Sequence, residues 1–297
     1  MIPSTASRLR QAGLDAVATG RLIEATMAED EAAYDVTSKA TVPADLVGIA
    51  AVRSRVDGVI AGLPVAIATL DIATAGKLEV RTVMEDGARV APGDTVLEVR
   101  AHVRPLLAGE RTLLNLLTHL SGIATVTRRW VDAVEGTGAQ IRDTRKTLPG
   151  LRALEKYAVR CGGGLNHRMS LADAALVKDN HVVAAGGVAA AFAAVRAAFP
   201  DLEVEVECDT LDQVREVVAA GADLVLLDNM DIPTTVASVA ICQAANVRTE
   251  ASGGLTLDRA REVAATGVTY LSVGGLTHSA PTLDLGLDLT LENHGTL

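Results

Sequence analysis

Residues 202–229 read LEVEVECDTLDQVREVVAAGADLVLLDN, and the changes of period within this stretch decide the fold. Leu202 to Cys208 alternate, with Val204 and Val206 on one side and Glu203, Glu205 and Glu207 on the other, which is the period of a strand. Residues 210–220 have helical character and are closed by Gly221. Residues 222–228 form an apolar run that ends in a carboxylate, a second strand. Strand, helix and strand in so short a span predict a βαβ unit and hence a parallel sheet.

The same alternation extends in both directions. Further strands are predicted near 140–142, 174–178, 247–251 and 269–273, and further helices near 149–160, 188–199, 233–245 and 256–266. Six strands over roughly 160 residues fall short of a full eight-stranded barrel, for which about 250 residues is typical, so an incomplete barrel is expected. Upstream, residues 1 to about 108 read as helix followed by strands at 46–55, 78–84 and 95–103, a small α+β domain. Leu113, Leu116, Leu117, Leu120, Ile123, Val126, Trp130 and Val134 keep helical spacing and predict a long linking helix, with Gly122 a point where it could bend. At the other end Leu283, Leu285, Leu287, Leu289 and Leu291 alternate with other residues, a last strand suited to return to the N-terminal sheet.

Composition narrows the chemistry. Of 297 residues 49% are hydrophobic and 22% charged, which predicts a soluble, folded protein rather than a disordered one. Aromatics make up only 2%, which disfavours stacking platforms for single-stranded nucleic acid, so no nucleic-acid partner is expected. Apolar runs are interrupted by charge before membrane-spanning length, and the N-terminus leads into no signal-peptide core; no membrane partner and a cytoplasmic location are the expectations. Cys161, Cys208 and Cys242 lack the spacing of a zinc site or a disulfide framework. A net charge of -10 repels anions globally, so a polyanionic ligand needs a local basic cluster.

Such a cluster exists. Asp143-Thr144-Arg145-Lys146-Thr147 and Asn166-His167-Arg168, the latter after Gly162-Gly163-Gly164, are loop-borne and basic, and the window that ends at Lys178 holds three of the five lysines. Arginine forks match carboxylate or phosphate bidentately and lysine adds a point charge, so the mixture suits a ligand bearing both groups; surface ion pairs with Asp143, Glu155 and Asp173 are the alternative. Polar residues recur at the predicted strand ends: Arg142 and Asp143, Lys178 and Asp179, Glu207, Asp228, Ser252 and Gly253, then Gly274 and Gly275. In a barrel that is the face on which active sites are built. The carboxylates of 203–207 must meet cations, sugar hydroxyls or a metal, or else the strand is an exposed edge. Glu207 and Asp228 are the pair best placed to hold ribose hydroxyls or magnesium-bound waters and to stabilise an oxocarbenium ion. Gly253-Gly254 and Gly274-Gly275 end the last two strands, where backbone N–H groups commonly surround a phosphate.

Glu110-Arg111-Thr112 with Leu114-Asn115, Ser121 to Thr125, Asp143 to Pro149, Lys156 to Val159, Gly162 to Arg168 and Lys178-Asp179-Asn180-His181 together resemble the quinolinate phosphoribosyltransferase family, and the resemblance runs from Ala61-Gly62-Leu63-Pro64 to Thr277-His278-Ser279. It implies an α/β fold: an N-terminal α/β sandwich over 1–115, joined by a C-terminal strand within 280–297, and an incomplete (β/α) barrel over 116–279. It also implies a homodimer with shared sites and leaves open assembly into hexamers. By the resemblance Arg145, His167, Arg168 and Lys178 surround the quinolinate carboxylates, Thr144 lies near the ring and Arg111 comes from the neighbouring subunit. Lys146 sits between the two substrates; in the mechanism expected of such a site, Lys146 or Lys178 assists decarboxylation. Glu207 and Asp228 hold the ribose and Mg2+ region of phosphoribosyl pyrophosphate, and Ser252, Gly253 and Gly274 its 5-phosphate. Two other readings differ in the acceptor or the outcome: a relative associated with molybdenum transport genes, and a sensor that binds a dicarboxylate without turnover.

Overall fold

Burial and pairing divide the chain of the computed structural model, which describes residues 1–291, into two compact units. The final residues of the 280–297 segment expected to close the sheet, 292–297, lie outside those described.

The first unit comprises residues 1–126, 153–163 and those from 279 onward. Its helices are α1 (Pro3–Gln11), α2 (Ala16–Glu29), α3 (Val36–Thr41), α4 (Leu63–Ala73) and most of α5 (Val103–Ala133). Its strands are β1 (Val47–Ser54), β2 (Gly58–Val59), β3 (Leu78–Val83), β4 (Arg89–Val90) and β5 (Thr95–His102). The terminal strand β12 (Leu285–Leu291) does return, pairing antiparallel with β1 so that Ala50 faces Leu289, and the sheet order is β12-β1-β5-β3. Alternate residues Ala50, Val52, Leu97 and Val99 pack on Leu63, Ile67 and Leu70 of α4 and Leu106, Leu113 and Leu117 of α5, giving an apolar core. Gly122 marks no break in α5: a side chain there would overlap the carbonyl oxygen of Pro281.

The helix expected near 149–160 is present as α6 (Arg152–Cys161), but nearly all of it belongs to the first unit. The cause is polar. Asp86 accepts the backbone N–H groups of Gly62 and Leu63 at 3.1 Å each, capping α4, and also accepts the Tyr157 hydroxyl from α6. His119 on α5 lies 2.8 Å from the buried Glu155, fastening the same helix a second time.

The second unit, residues 127–152 and 164–278, is the βα repeat. Strands β6 (Gln140–Arg142), β7 (Ala175–Val177), β8 (Val204–Cys208), β9 (Leu224–Asp228), β10 (Arg248–Ser252) and β11 (Tyr270–Ser272) alternate with helices α7 (Asp179–Ala185), α8 (Val188–Ala198), α9 (Leu211–Ala219), α10 (Ile232–Ala244), α11 (Ala260–Ala264) and α12 (Gly275–His278). Every pairing in the sheet is parallel, in the order β6-β11-β10-β9-β8-β7, so the barrel is incomplete with β6 and β7 at its edges. Leu165 covers the β6 edge: its N–H donates to Ile141 and its carbonyl accepts from Asp143. Among the described residues no single helix is long and apolar enough to cross a membrane.

Candidate active site

The carboxyl ends of the barrel strands surround a cavity of about 730 Å³. Thr144, Arg145, Lys146, His167, Arg168, Lys178, Glu207, Asp228, Ser252 and Gly253 all line it, so one concavity gathers nearly every residue singled out from the sequence. Gly274 sits beside the Lys146 and Thr144 side chains. Arg111 does not line it; this residue is exposed on α5 in the first unit.

One buried carboxylate organises the basic loops. Asp143, just past β6, accepts the His167 backbone N–H at 2.8 Å and the Asn166 side-chain amide at 2.6 Å. Lys146 is exposed, but its loop is pinned because Thr277 Oγ1 donates to the Lys146 carbonyl at 2.7 Å and the Lys146 N–H donates to Thr144 Oγ1 at 3.0 Å. The Arg168 guanidinium donates to the Ala174 carbonyl at 2.8 Å. Burial first, and then the like charge of Arg145, push its pKa below the usual guanidinium value, while Glu205 opposes that shift. The Arg145 Nε is buried and meets no hydrogen-bond acceptor among the described residues. Two guanidiniums that repel each other in one partly buried place are the electrostatic complement of a compact dianion.

Across the cavity Lys178 Nζ lies 4.0 Å from Glu207. Burial raises the Glu207 pKa, Lys178 lowers it and Asp228 raises it again, so this is an acidic pair with a cation at its side. The cavity wall then passes to Ser252-Gly253-Gly254 at the end of β10. Gly253 has φ +87°, and a side chain there would overlap the amide of Asn229, so the close approach of these two loops requires glycine.

Below this rim lies a layer that sequence reasoning captured only in part. Arg142 on β6 pairs with Glu250 on β10 at 2.7 Å, and Glu250 is fully buried. Ser272 on β11 donates to the same carboxylate. Glu205 on β8, also buried, stands 2.9 Å from His167 Nε2. Burial raises both carboxyls to a pKa of about 7, with Arg142 pulling each back down. The charged strand 203–207 is therefore divided: Glu203 is exposed and pairs with Arg248 as an edge residue would, Glu205 points into the barrel and Glu207 reaches the cavity. Glu250 is one more polar residue in a strand that reads Arg248-Thr249-Glu250-Ala251-Ser252, so the sequence carries no distinct signal for this layer. Among the described residues the three cysteines are free, and burial pushes the Cys161 and Cys208 thiols up to about 12, well away from nucleophilic thiolate.

One cavity at the carboxyl ends of an incomplete parallel barrel thus gathers two neighbouring arginines, an acidic pair and a glycine loop. The chain belongs to the quinolinate phosphoribosyl transferase family, whose N-terminal domain matches residues 35–121 and whose C-terminal domain matches residues 123–288. It is 54% identical over 258 residues to the nicotinate-nucleotide pyrophosphorylase [carboxylating] of Mycobacterium leprae, spanning 86% of this chain and 91% of that one. A probable nicotinate-nucleotide pyrophosphorylase [carboxylating] of Bacillus subtilis is 48% identical over 70% of this chain and 72% of its own. Among solved structures, NadC from Streptococcus pyogenes superposes with a TM-score of 0.88 at 38% identity, covering 92% of this chain and 96% of that one.

Proposed function

We propose that the cavity joins quinolinate to phosphoribosyl pyrophosphate and releases pyrophosphate and carbon dioxide, giving nicotinate mononucleotide for NAD synthesis. The observation that carries this reading is the juxtaposition, in one cavity, of two repelling guanidiniums for a dicarboxylate with an acidic pair and a glycine loop for a phosphorylated sugar. Arg145, Arg168 and Lys178 hold the acceptor carboxylates with His167 behind them, and Thr144 faces the ring. Ser252, Gly253 and Gly274 take the 5-phosphate. Lys146, between the substrates, steadies negative charge on the departing pyrophosphate.

The pyridine nitrogen attacks the anomeric carbon as the bond to pyrophosphate breaks, and Glu207 and Asp228 stabilise the positive charge that develops on the ribose. Loss of the carboxylate next to the alkylated nitrogen leaves its electron pair on the ring carbon beside that positive nitrogen. A solvent proton then completes the product, with Lys146 or Lys178 assisting. Glu207 and Asp228 also fit a divalent cation: burial and then Asp228 disfavour charge on Glu207, and Lys178 is the counter-charge that offsets them. Magnesium held there, through water, would supply counter-charge for the pyrophosphate.

Arg111 is proposed to complete the dicarboxylate pocket from a second copy of the chain, since the cavity lining is drawn from the second unit without it. Mixed heterodimers of Arg111→Ala and Lys178→Ala proteins, each inactive alone, should regain activity; none after verified subunit exchange refutes the shared site. The function itself is tested by incubating the protein with quinolinate, phosphoribosyl pyrophosphate and magnesium while following nicotinate mononucleotide and pyrophosphate, with nicotinate as a parallel acceptor. Product from quinolinate alone supports the proposal. Product from nicotinate alone, or none from a folded protein, overturns it.

A further inference from the structure

Both ring nitrogens of His167 are engaged within the protein, although the ring lines the cavity. Nδ1 accepts the Arg168 backbone N–H at 2.7 Å, so in the neutral ring the proton belongs to Nε2, which points at Glu205 Oε2 from 2.9 Å. Glu205 Oε1 is buried without a hydrogen-bond partner among the described residues, so the carboxylate is held in place largely by what its other oxygen contacts. Beside it, Glu250 Oε1 stands 3.7 Å from the same Nε2 and is fixed by Ser272 and, through Oε2, by Arg142 at 2.7 Å. The relay therefore runs from strands β6, β10 and β11, through the carboxylates, to the imidazole and on to the Arg168 backbone. A histidine and two carboxylates could suggest a cation site, but Arg142 already supplies the counter-charge to Glu250 and repels a second cation.

We infer that Glu205 is a positioning residue for the dicarboxylate end of the cavity: it holds His167 as the Nε2–H tautomer, so that Nδ1 fixes the Arg168 backbone and aims its guanidinium. Glu205, together with Asp173, also offsets the charge repulsion that Arg145 exerts on that guanidinium. Glu205 does not line the main cavity; it lines, with Arg142, His167 and Arg168, a second one of about 340 Å³, so its effect on the main cavity is transmitted through His167 and Arg168. The identity of the ligand rests on the quinolinate reading; the geometry of His167 does not.

Steady-state kinetics of the full chain separate the role from a merely structural one. Partners that orient a binding side chain from behind typically contribute about 10–100-fold, so Glu205→Ala should raise the KM for quinolinate by about tenfold or more and leave that for phosphoribosyl pyrophosphate within about twofold. Glu205→Gln keeps an oxygen that accepts from Nε2–H and should recover the quinolinate KM to within about threefold. Equal loss for both substrates, or a Gln variant as impaired as the Ala variant, overturns the inference. Imidazole ¹⁵N spectra supply a readout independent of turnover and of whether Glu205→Ala folds, with the His167 signal assigned by its disappearance in His167→Gln. A single Nε2-protonated tautomer in the unsubstituted protein and in Glu205→Gln supports the role, and an Nδ1-protonated ring overturns it. That tautomer in a folded protein that does not turn over quinolinate would refute the function while supporting the positioning role.

Discussion

Where strands β1 and β5 of the first unit face inward they present Ala50, Val52, Leu97 and Val99, all buried against other apolar side chains; where β6, β8 and β10 of the second unit do so they present Arg142, Glu205 and Glu250. Both interiors take these side chains wholly or largely out of water, but only the first is stabilised by doing so. Transfer of a charge out of water is unfavourable unless it is paired and hydrogen-bonded, and a buried pair is commonly no more stable than well-packed apolar residues of the same volume. A charged barrel interior therefore calls for a reason other than stability. Here the reason lies directly above it: the layer reaches the cavity at Glu250 itself and, through Glu205, at His167 and Arg168, all three of which line it.

The contrast can be broken most directly at Glu250. Glu250→Ala leaves the largely buried Arg142 without its carboxylate, with only the Tyr270 ring beside it, and should cost about 3 kcal/mol of stability, measured by urea unfolding. A cost below about 1 kcal/mol would mean that water already reaches this layer. The rim should respond in the opposite sense. Lys178 is half exposed and pairs with Glu207 only at 4.0 Å, so Lys178→Ala should change stability by less than about 0.5 kcal/mol. It should nevertheless lower kcat/KM by about 10²–10³-fold, the usual consequence of removing one preorganised charge from developing negative charge. If Lys178→Ala unfolds the protein, the division between a structural interior and a functional rim fails.

How much of this was visible in the sequence follows from period and polarity. The strands of the barrel were legible because their runs end in Asp143, Lys178, Glu207 and Asp228, and the cavity followed from those ends. Helix α4 was not, because Leu63 and all of Val65 to Asp71 are buried and an all-round buried helix has no polar stripe to give a period of 3.6. The chain position of α6 follows from its helical pattern, but its place in the first unit depends on Tyr157 finding Asp86, a partner 71 residues away that no local pattern reveals. Glu250 is inconspicuous because Arg248, Thr249 and Ser252 make polar residues ordinary in its strand, and only the fold brings Arg142 to it.

A gentler test of the charged interior is its response to pH. Burial raises the Glu250 carboxyl to about 7 in the folded chain, above the usual carboxyl value of 4.5, so the folded state binds the proton more tightly than the unfolded state does. The stabilisation that this provides is complete below about pH 4.5 and is lost as pH rises through 7, at no more than about 1.4 kcal/mol per pH unit for one proton. Glu250→Gln, always neutral, should lack that slope, so the stability of the original chain relative to the variant should fall between pH 4.5 and 7. A difference that rises instead would mean that the Arg142 pair outweighs burial and keeps Glu250 ionised.

The apolar interior gives the smallest expected effect and the sharpest control. Ile67 on α4 is buried among Leu, Val and Ala side chains, with no polar atom of its own to leave unpaired. Ile67→Val removes one methylene, which costs about 0.5–1.5 kcal/mol in a close-packed core, partly as lost transfer energy and partly as the small cavity left behind. This cost should be the same at pH 5 and pH 7, because nothing near the lost group in the apolar cluster titrates, and the KM for quinolinate should not move. If this substitution shifted the acceptor KM as a Glu205 substitution does, transmission through the charged layer would not be needed to explain either, since packing alone would then couple the first unit's core to the acceptor pocket.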